Sequence, residues 1–198
     1  MKFNVILFDC FETIDAFGPV EVVGTINKFM EKKYEIEFYS LSGGMITSSQ
    51  NVKVHTQPIS SIEEAGIILI PGGFGTRNEV NNQKFIQNIK ALSEKAQYVL
   101  TVCTGSALLA KTGLIKGLKA TTNKMAFDWV VEQDKDVNWI RKARWVVNGK
   151  YYTSSGVSAG MDMTLGFVSD TLGKEVAERV TKGIEYLWNS DKENDPFC

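Results

Sequence analysis

A chain of 198 residues, 43% hydrophobic and 23% charged, is long enough to bury one core and has the balance of an ordinary globular protein. A formal net charge of −1 removes the electrostatic case for a nucleic-acid or anionic-membrane partner. No apolar run approaches the roughly 20 residues of a membrane span, and the N-terminus lacks the pattern of a signal peptide, so a cytoplasmic protein is expected.

In chain order, residues 3–8 form a first buried strand, and residues 9–15 a polar-interrupted loop. Gly18-Pro19 is expected to open a helix whose apolar face runs through Val20, Val23, Ile26 and Met30. Residues 35–40 alternate as a second strand. Short strands at 45–46 and 52–56 flank the hairpin-like residues 48–51. The β-branched run 67–70 predicts a central strand, broken abruptly by Pro71-Gly72-Gly73-Phe74-Gly75. The spacing of Phe85, Ile86, Ile89 and Leu92 predicts a helix over 83–95.

Residues 98–102 form another apolar run of the kind found at the centre of a parallel sheet. Cys103 follows, and Gly105, Ser106 and Ala107 let a helix start close to the strand end, stopping at Thr112-Gly113. A short strand at 118–121 and a helix at 125–132 come next. Asn148-Gly149 predicts a hairpin between strands at 145–147 and 151–153. Ser158 is a candidate cap for a helix to Leu172, and residues 175–188 form a final helix. Residues 1–188 make one domain, and 189–198 a polar, loosely held tail.

Strands alternating with helices predict a single-domain α/β fold, with a mostly parallel central sheet and helices on both faces. Ligands in such folds bind beyond the carboxyl ends of the strands, at a topological switch point. Residues 9–15, Gly72-Gly73, Cys103-Thr104 and 156–160 all fall at predicted strand ends. A cysteine there lies near the positive end of a helix, which favours the thiolate. An inert, buried thiol is the competing reading of the pattern alone. Three widely spaced cysteines fit a reducing compartment. With His55 the only histidine and no Cys-x-x-Cys pair, no metal site or cofactor is expected.

Together, Pro71-Gly72-Gly73-Phe74-Gly75, Val102-Cys103-Thr104-Gly105-Ser106, Thr121-Thr122-Asn123 and Gly156-Val157-Ser158-Ala159-Gly160-Met161-Asp162 resemble the ThiJ/PfpI family of the class I glutamine amidotransferase-like superfamily. Asp15-Ala16-Phe17-Gly18-Pro19 and Asp195-Pro196-Phe197 resemble its isonitrile hydratase branch. The resemblance spans essentially the whole chain. It implies a flavodoxin-like three-layer fold, a homodimer and a small-molecule substrate, with Cys103 as nucleophile in a strained turn. It places Asp15 against the sulfur as an acid–base group, although an N-cap ahead of Gly18 is an alternative job for this residue. The Gly72, Gly73 and Thr104 amides would stabilise developing negative charge, with simple turn chemistry as the alternative for the glycines. The Thr104 hydroxyl would face the substrate.

Many relatives carry a histidine where Asn123 stands, and His55 lies in the predicted hairpin region. Without a Cys–His pair the thiol lacks an activating imidazole, and peptide hydrolysis lacks the conventional proton donor for its leaving amine, a job an acidic residue could take instead. Adding water to a small electrophile needs no such leaving group. Three readings stand: an isonitrile-hydratase-like lyase working through a Cys103 thioimidate; an amidase, protease-like hydrolase, glyoxalase or deglycase of the same family; and a non-enzymatic thiol redox sensor or ligand-sensing domain. The chain ends at Cys198 without a basic DNA-reading segment, which counts against a regulator acting alone. Elsewhere, Phe74 and Trp129 could shape an apolar pocket but are more simply core residues, Cys10 is expected as a packed thiol and Cys198 as a free tail thiol. Lys116, Lys119 and Lys124 are expected on a solvated face. Arg77 could bind an anion but is more simply solvated.

Overall fold

A computed structural model describes residues 1–31 and 34–198. Its first half comprises β1 (Lys2–Ile6), α1 (Thr13–Ile26), β2 (Glu35–Ser40), β3 (Gly44–Thr47), β4 (Lys53–Pro58), β5 (Ile67–Ile70), α2 (Thr76–Glu79) and α3 (Gln83–Lys95). The second half comprises β6 (Tyr98–Thr101), α4 (Gly105–Lys111), β7 (Lys119–Ala120), α5 (Phe127–Val131), β8 (Asn138–Trp139), β9 (Trp145–Asn148), β10 (Tyr151–Ser154), α6 (Ala159–Leu172) and α7 (Lys174–Gly183). The main sheet runs β3-β4-β2-β1-β5-β6-β10-β9 and is parallel except for its outermost strands β3 and β9. Strands β7 and β8 pair apart from it.

The central strands are apolar because both faces are covered: Val5, Ile6, residues 67–70, Val99 and Leu100 are fully buried. From β1 the chain steps to β2 on one side, whereas from β5 it steps to β6 on the other. Right-handed crossovers therefore put α1 and α3 on opposite faces. Helices α6 and α7 pack with α1, while α4 packs with α3. The switch point lies between β1 and β5. The register pairs Val5 with Leu69, Leu69 with Leu100 and Leu100 with Tyr152. The segments that follow these strands thus emerge side by side on one rim.

Several boundaries differ from the sequence expectation. Helix α1 begins at Thr13, and Pro19 lies inside it. Asp15 is therefore a first-turn residue, buried against the sheet, and Glu12 occupies the N-cap position without a side-chain cap. In the hairpin, Asn148 pairs with Tyr151, and the positive φ of 58° falls on Gly149, the first of the two turn residues. Ser158 precedes α6 but makes no cap; its Oγ accepts from Arg144 Nη2 at 3.3 Å.

Helix α7 stops at Gly183, short of Trp188. The freed segment serves a buried ionic cluster instead. Arg144 Nε donates to Asp162 Oδ2 at 2.6 Å, and its Nη1 lies 3.6 Å from Asp195 Oδ1. Tyr186 Oη and the Asn189 amide donate to Asp162 Oδ1 at 3.1 and 3.0 Å. The tail is docked rather than loose: the Arg144 amide donates to the Lys192 carbonyl at 2.9 Å, and Asp195 is buried. Lys124 leaves the expected solvated face. Its side chain is 9% exposed and donates to the Ala143 carbonyl at 2.6 Å, and burial lowers its pKa.

Candidate active site

Four strand ends build the site. After β6, Cys103 turns the chain into α4 at φ 57°, in the left-handed region. Its amide donates to the Ser155 carbonyl at 3.0 Å, at the end of β10. Its carbonyl accepts from Thr122 Oγ1 at 2.9 Å and Ser106 Oγ at 3.1 Å. Val157, after β10, sits at φ 43°, and Cys10, after β1, at φ 59°. Positive φ costs a non-glycine residue roughly 1–3 kcal/mol, and such strain gathers at functional sites. Here it marks three of the four strand ends.

The carboxyl of Asp15 reaches this rim from the first turn of α1. Oδ2 accepts from the Gly72 amide at 2.9 Å, whereas Oδ1 is buried without a hydrogen-bond partner among the described residues. Burial pushes the Asp15 carboxyl up to about 7; the Gly72 amide opposes this, while the Glu12 charge adds to it. The Cys103 thiol is also raised, first by burial and then by the Asp15 carboxyl, against weaker help from the Thr104 and Val157 amides. The expectation of a thiolate favoured by the helix end is therefore corrected: desolvation and the neighbouring carboxyl outweigh it. Both groups are thus pushed towards their neutral forms, the thiol more strongly than the carboxyl.

The Gly72 and Gly73 amides, expected to face an anion, are engaged within the protein. Gly72 holds Asp15, and Gly73 donates to Thr104 Oγ1 at 3.1 Å. Thr104 is buried, and its hydroxyl also accepts from Thr76 Oγ1 at 3.1 Å, so it braces the Gly73 loop while the residue still lines the cavity beside Cys103. The close approach explains Gly72: a Cβ there would lie 2.6 Å from the Thr104 nitrogen and 2.9 Å from Asp15 Oδ2.

A cavity of about 410 Å³ opens over Cys103, walled by Glu12, Phe74, Arg77, Asn123, Met125 and Val157. Phe74 is 76% exposed at its mouth, contrary to the expected core position. Arg77 is half-buried and stacked on Trp129 rather than solvated. Asn123 Oδ1 accepts from the Ala126 amide at 2.9 Å. His55 is exposed on β4, paired with Met45, and does not line the cavity. Cys10 is exposed rather than packed. Sequence reading missed Glu12 and Val157. Glu12 could have been found from its place one turn before Asp15; the Val157 backbone leaves no mark in residue type. Among the described residues no cluster of metal-ligating side chains occurs, and no helix is long and apolar enough to cross a membrane.

The model of the DJ-1/PfpI family matches residues 1–170. The isonitrile hydratase of Pseudomonas putida is 24% identical over 189 residues, covering 94% of this chain and 78% of that enzyme. The HTH-type transcriptional regulator CdhR of Pseudomonas aeruginosa is 23% identical over 181 residues, and this chain spans about half of it, 53%. A solved ThiJ/PfpI family protein from Pseudomonas syringae superposes with a TM-score of 0.82 at 24% identity, over 93% of this chain and 74% of that one. The structural likeness speaks for the fold alone.

Proposed function

Because the chain belongs to the DJ-1/PfpI family, we propose that it is a cysteine-nucleophile enzyme that hydrates a small electrophile, such as an isonitrile, to an N-substituted formamide. The observation that carries this reading is the Cys103–Asp15 pair: a strained thiol beside a buried carboxyl that titrates near neutrality, in a cavity with no imidazole in its wall. The similarity to the isonitrile hydratase of Pseudomonas putida supports it.

The chemistry needs one mobile proton. Cys103 Sγ attacks the terminal isonitrile carbon while its proton passes to the Asp15 carboxylate and on to that carbon, giving a thioimidate. Water then adds to the thioimidate carbon; Asp15 passes one of the water's two protons to the nitrogen and the other to the sulfur as the C–S bond breaks and the carbonyl forms. The sum is isonitrile plus water to formamide, with Cys103 and Asp15 regenerated. No amine leaves, so the absent imidazole is no handicap.

Incubation with an aliphatic isonitrile such as cyclohexyl isocyanide is expected to yield the formamide and a transient Cys103 adduct by intact mass. Cys103→Ala is expected to abolish both. No formamide from several isonitriles, alongside lactate from methylglyoxal, would overturn this reading in favour of α-oxoaldehyde chemistry.

A further inference from the structure

Arg77 stands in the wall of the Cys103 cavity with its charge uncommitted. Its guanidinium carbon lies 4.1 Å from the Trp129 ring centroid and 5.6 Å from that of Phe74. The guanidinium's one hydrogen bond runs from Nη1 to Thr76 Oγ1 at 3.2 Å. By contrast, Arg144 is held by Asp162 and Asp195, and Arg141 by Asp128; no carboxylate pairs with Arg77 among the described residues. A guanidinium stacked on aromatic rings keeps its in-plane N–H groups free and is restrained in advance, so a ligand loses little entropy in using it. Asn123 supplies a second donor. Its Oδ1 is committed to the Ala126 amide, which fixes the amide plane, and its Nδ2 has no partner among the described residues.

Donors with no protein acceptor, in the same cavity as a nucleophile, call for an anionic acceptor on the ligand. Glu12 argues for polarity of binding. It precedes α1, three residues before Asp15, and its amide donates to the Gly72 carbonyl at 2.9 Å, so its carboxylate disfavours an anion at that end of the cavity. We propose that the site takes small molecules bearing a carboxylate, which Arg77 and Asn123 hold while the electrophilic carbon at the other end meets Cys103. Under the hydration reading, on which this assignment rests for the identity of the electrophile, the substrate class is short isocyano-carboxylates.

The test uses a different electrophile, so that the two readings fail separately. Iodoacetate and iodoacetamide both form an S–C bond with loss of iodide and of the thiol proton. They differ only in carrying a carboxylate or a neutral amide. Cys10 and Cys198 are exposed and serve as controls within the same molecule. Peptide mapping is expected to show Cys103 reacting at least tenfold faster with iodoacetate than with iodoacetamide, relative to Cys198. Arg77→Gln is expected to bring that ratio to the control value, and Arg77→Lys to give an intermediate ratio. Butyrate, and not butyramide, is expected to protect Cys103 in the unmodified protein, a readout independent of any variant's folding. A Cys103 ratio equal to that of Cys198, equal slowing of both reagents by Arg77→Gln, or equal protection by butyrate and butyramide would overturn the proposal. A preserved ratio with no turnover of any isonitrile would discard the hydration reading and keep the carboxylate site.

Discussion

The Gly72 amide donates to Asp15 Oδ2 at 2.9 Å, and this bond ties the carboxyl of the first helical turn to the strand end beside Thr104, with Oδ1 buried and without a hydrogen-bond partner among the described residues. Gly72→Ala tests the relationship. The new Cβ would press on the Thr104 backbone nitrogen and on Asp15 Oδ2, and backbone cannot yield as a flexible side chain does. The expected cost is about 1–3 kcal/mol of stability and loss of Cys103 alkylation and turnover by at least tenfold. Denaturant melts and alkylation rates check it.

Activity should rise with pH through about 7 to a plateau. Below that value Asp15 carries its own proton and cannot take the one on sulfur; above it, the pair holds a single proton. The raised Cys103 pKa pushes any second limb far to the alkaline side. Asp15→Asn should abolish turnover at every pH, and a kcat/KM profile between pH 5 and 9 is the measurement.

The same carboxyl should make the fold less stable as pH rises. Its folded pKa of about 7 lies above the value of about 3.9 in an unfolded chain. The protonated folded form is thus favoured. That contribution is complete below about pH 4 and is lost as pH rises through about 7, up to about 4 kcal/mol in all. Asp15→Asn removes the titration. Its Tm should exceed that of the unmodified protein by several degrees at pH 8, and by much less at pH 5.

Val157 places a β-branched residue at φ 43° while leaving its side chain 38% exposed. Val157→Gly should relieve strain of about 1–2 kcal/mol at little cost in burial. It should also loosen the amide that faces Cys103 and Asp15. A higher Tm with a lower kcat is expected; a variant that is more stable and fully active would show that the strain serves no purpose in the site.

Arg144→Leu leaves Asp162 buried without its cation, and Asp195 with only Lys124, 4.0 Å away. The expected loss is about 3–5 kcal/mol, against less than about 0.5 kcal/mol for Arg141→Leu at the exposed Asp128 pair. Because the Ser155 amide donates to the Arg144 carbonyl at 2.8 Å and the Ser155 carbonyl accepts from Cys103, the loss should reach Cys103 reactivity too. Denaturant melts and iodoacetamide rates read both.

Local patterns carried most of the fold. The runs 67–70 and 98–101, the helix over 83–95 and the hairpin at Gly149 were legible, because a doubly covered strand must be apolar throughout and a helix face must repeat every three to four residues. The place of Cys103 was legible as well, since a strand that runs straight into small residues marks a sharp turn into a helix. Asp15 was legible only as a candidate. Its burial, its bond to Gly72 and its pKa near 7 depend on a contact 57 residues away in sequence. Phe74 and Lys124 each went to the side opposite to the one their residue type suggests, the phenyl to solvent and the ammonium inward. Side-chain hydrophobicity fixes a preference, but a cavity mouth for Phe74, and for Lys124 two backbone carbonyls, the Thr121 hydroxyl and Asp195, override it. By itself, then, the sequence determined the order of the main strands and helices and marked Cys103 as a candidate, because apolar runs, helical repeats and turn residues are short-range patterns. Only the tertiary structure decided the protonation of the Cys103–Asp15 pair, the docking of the tail and the free guanidinium over the cavity, because each depends on which distant groups exclude water from one another.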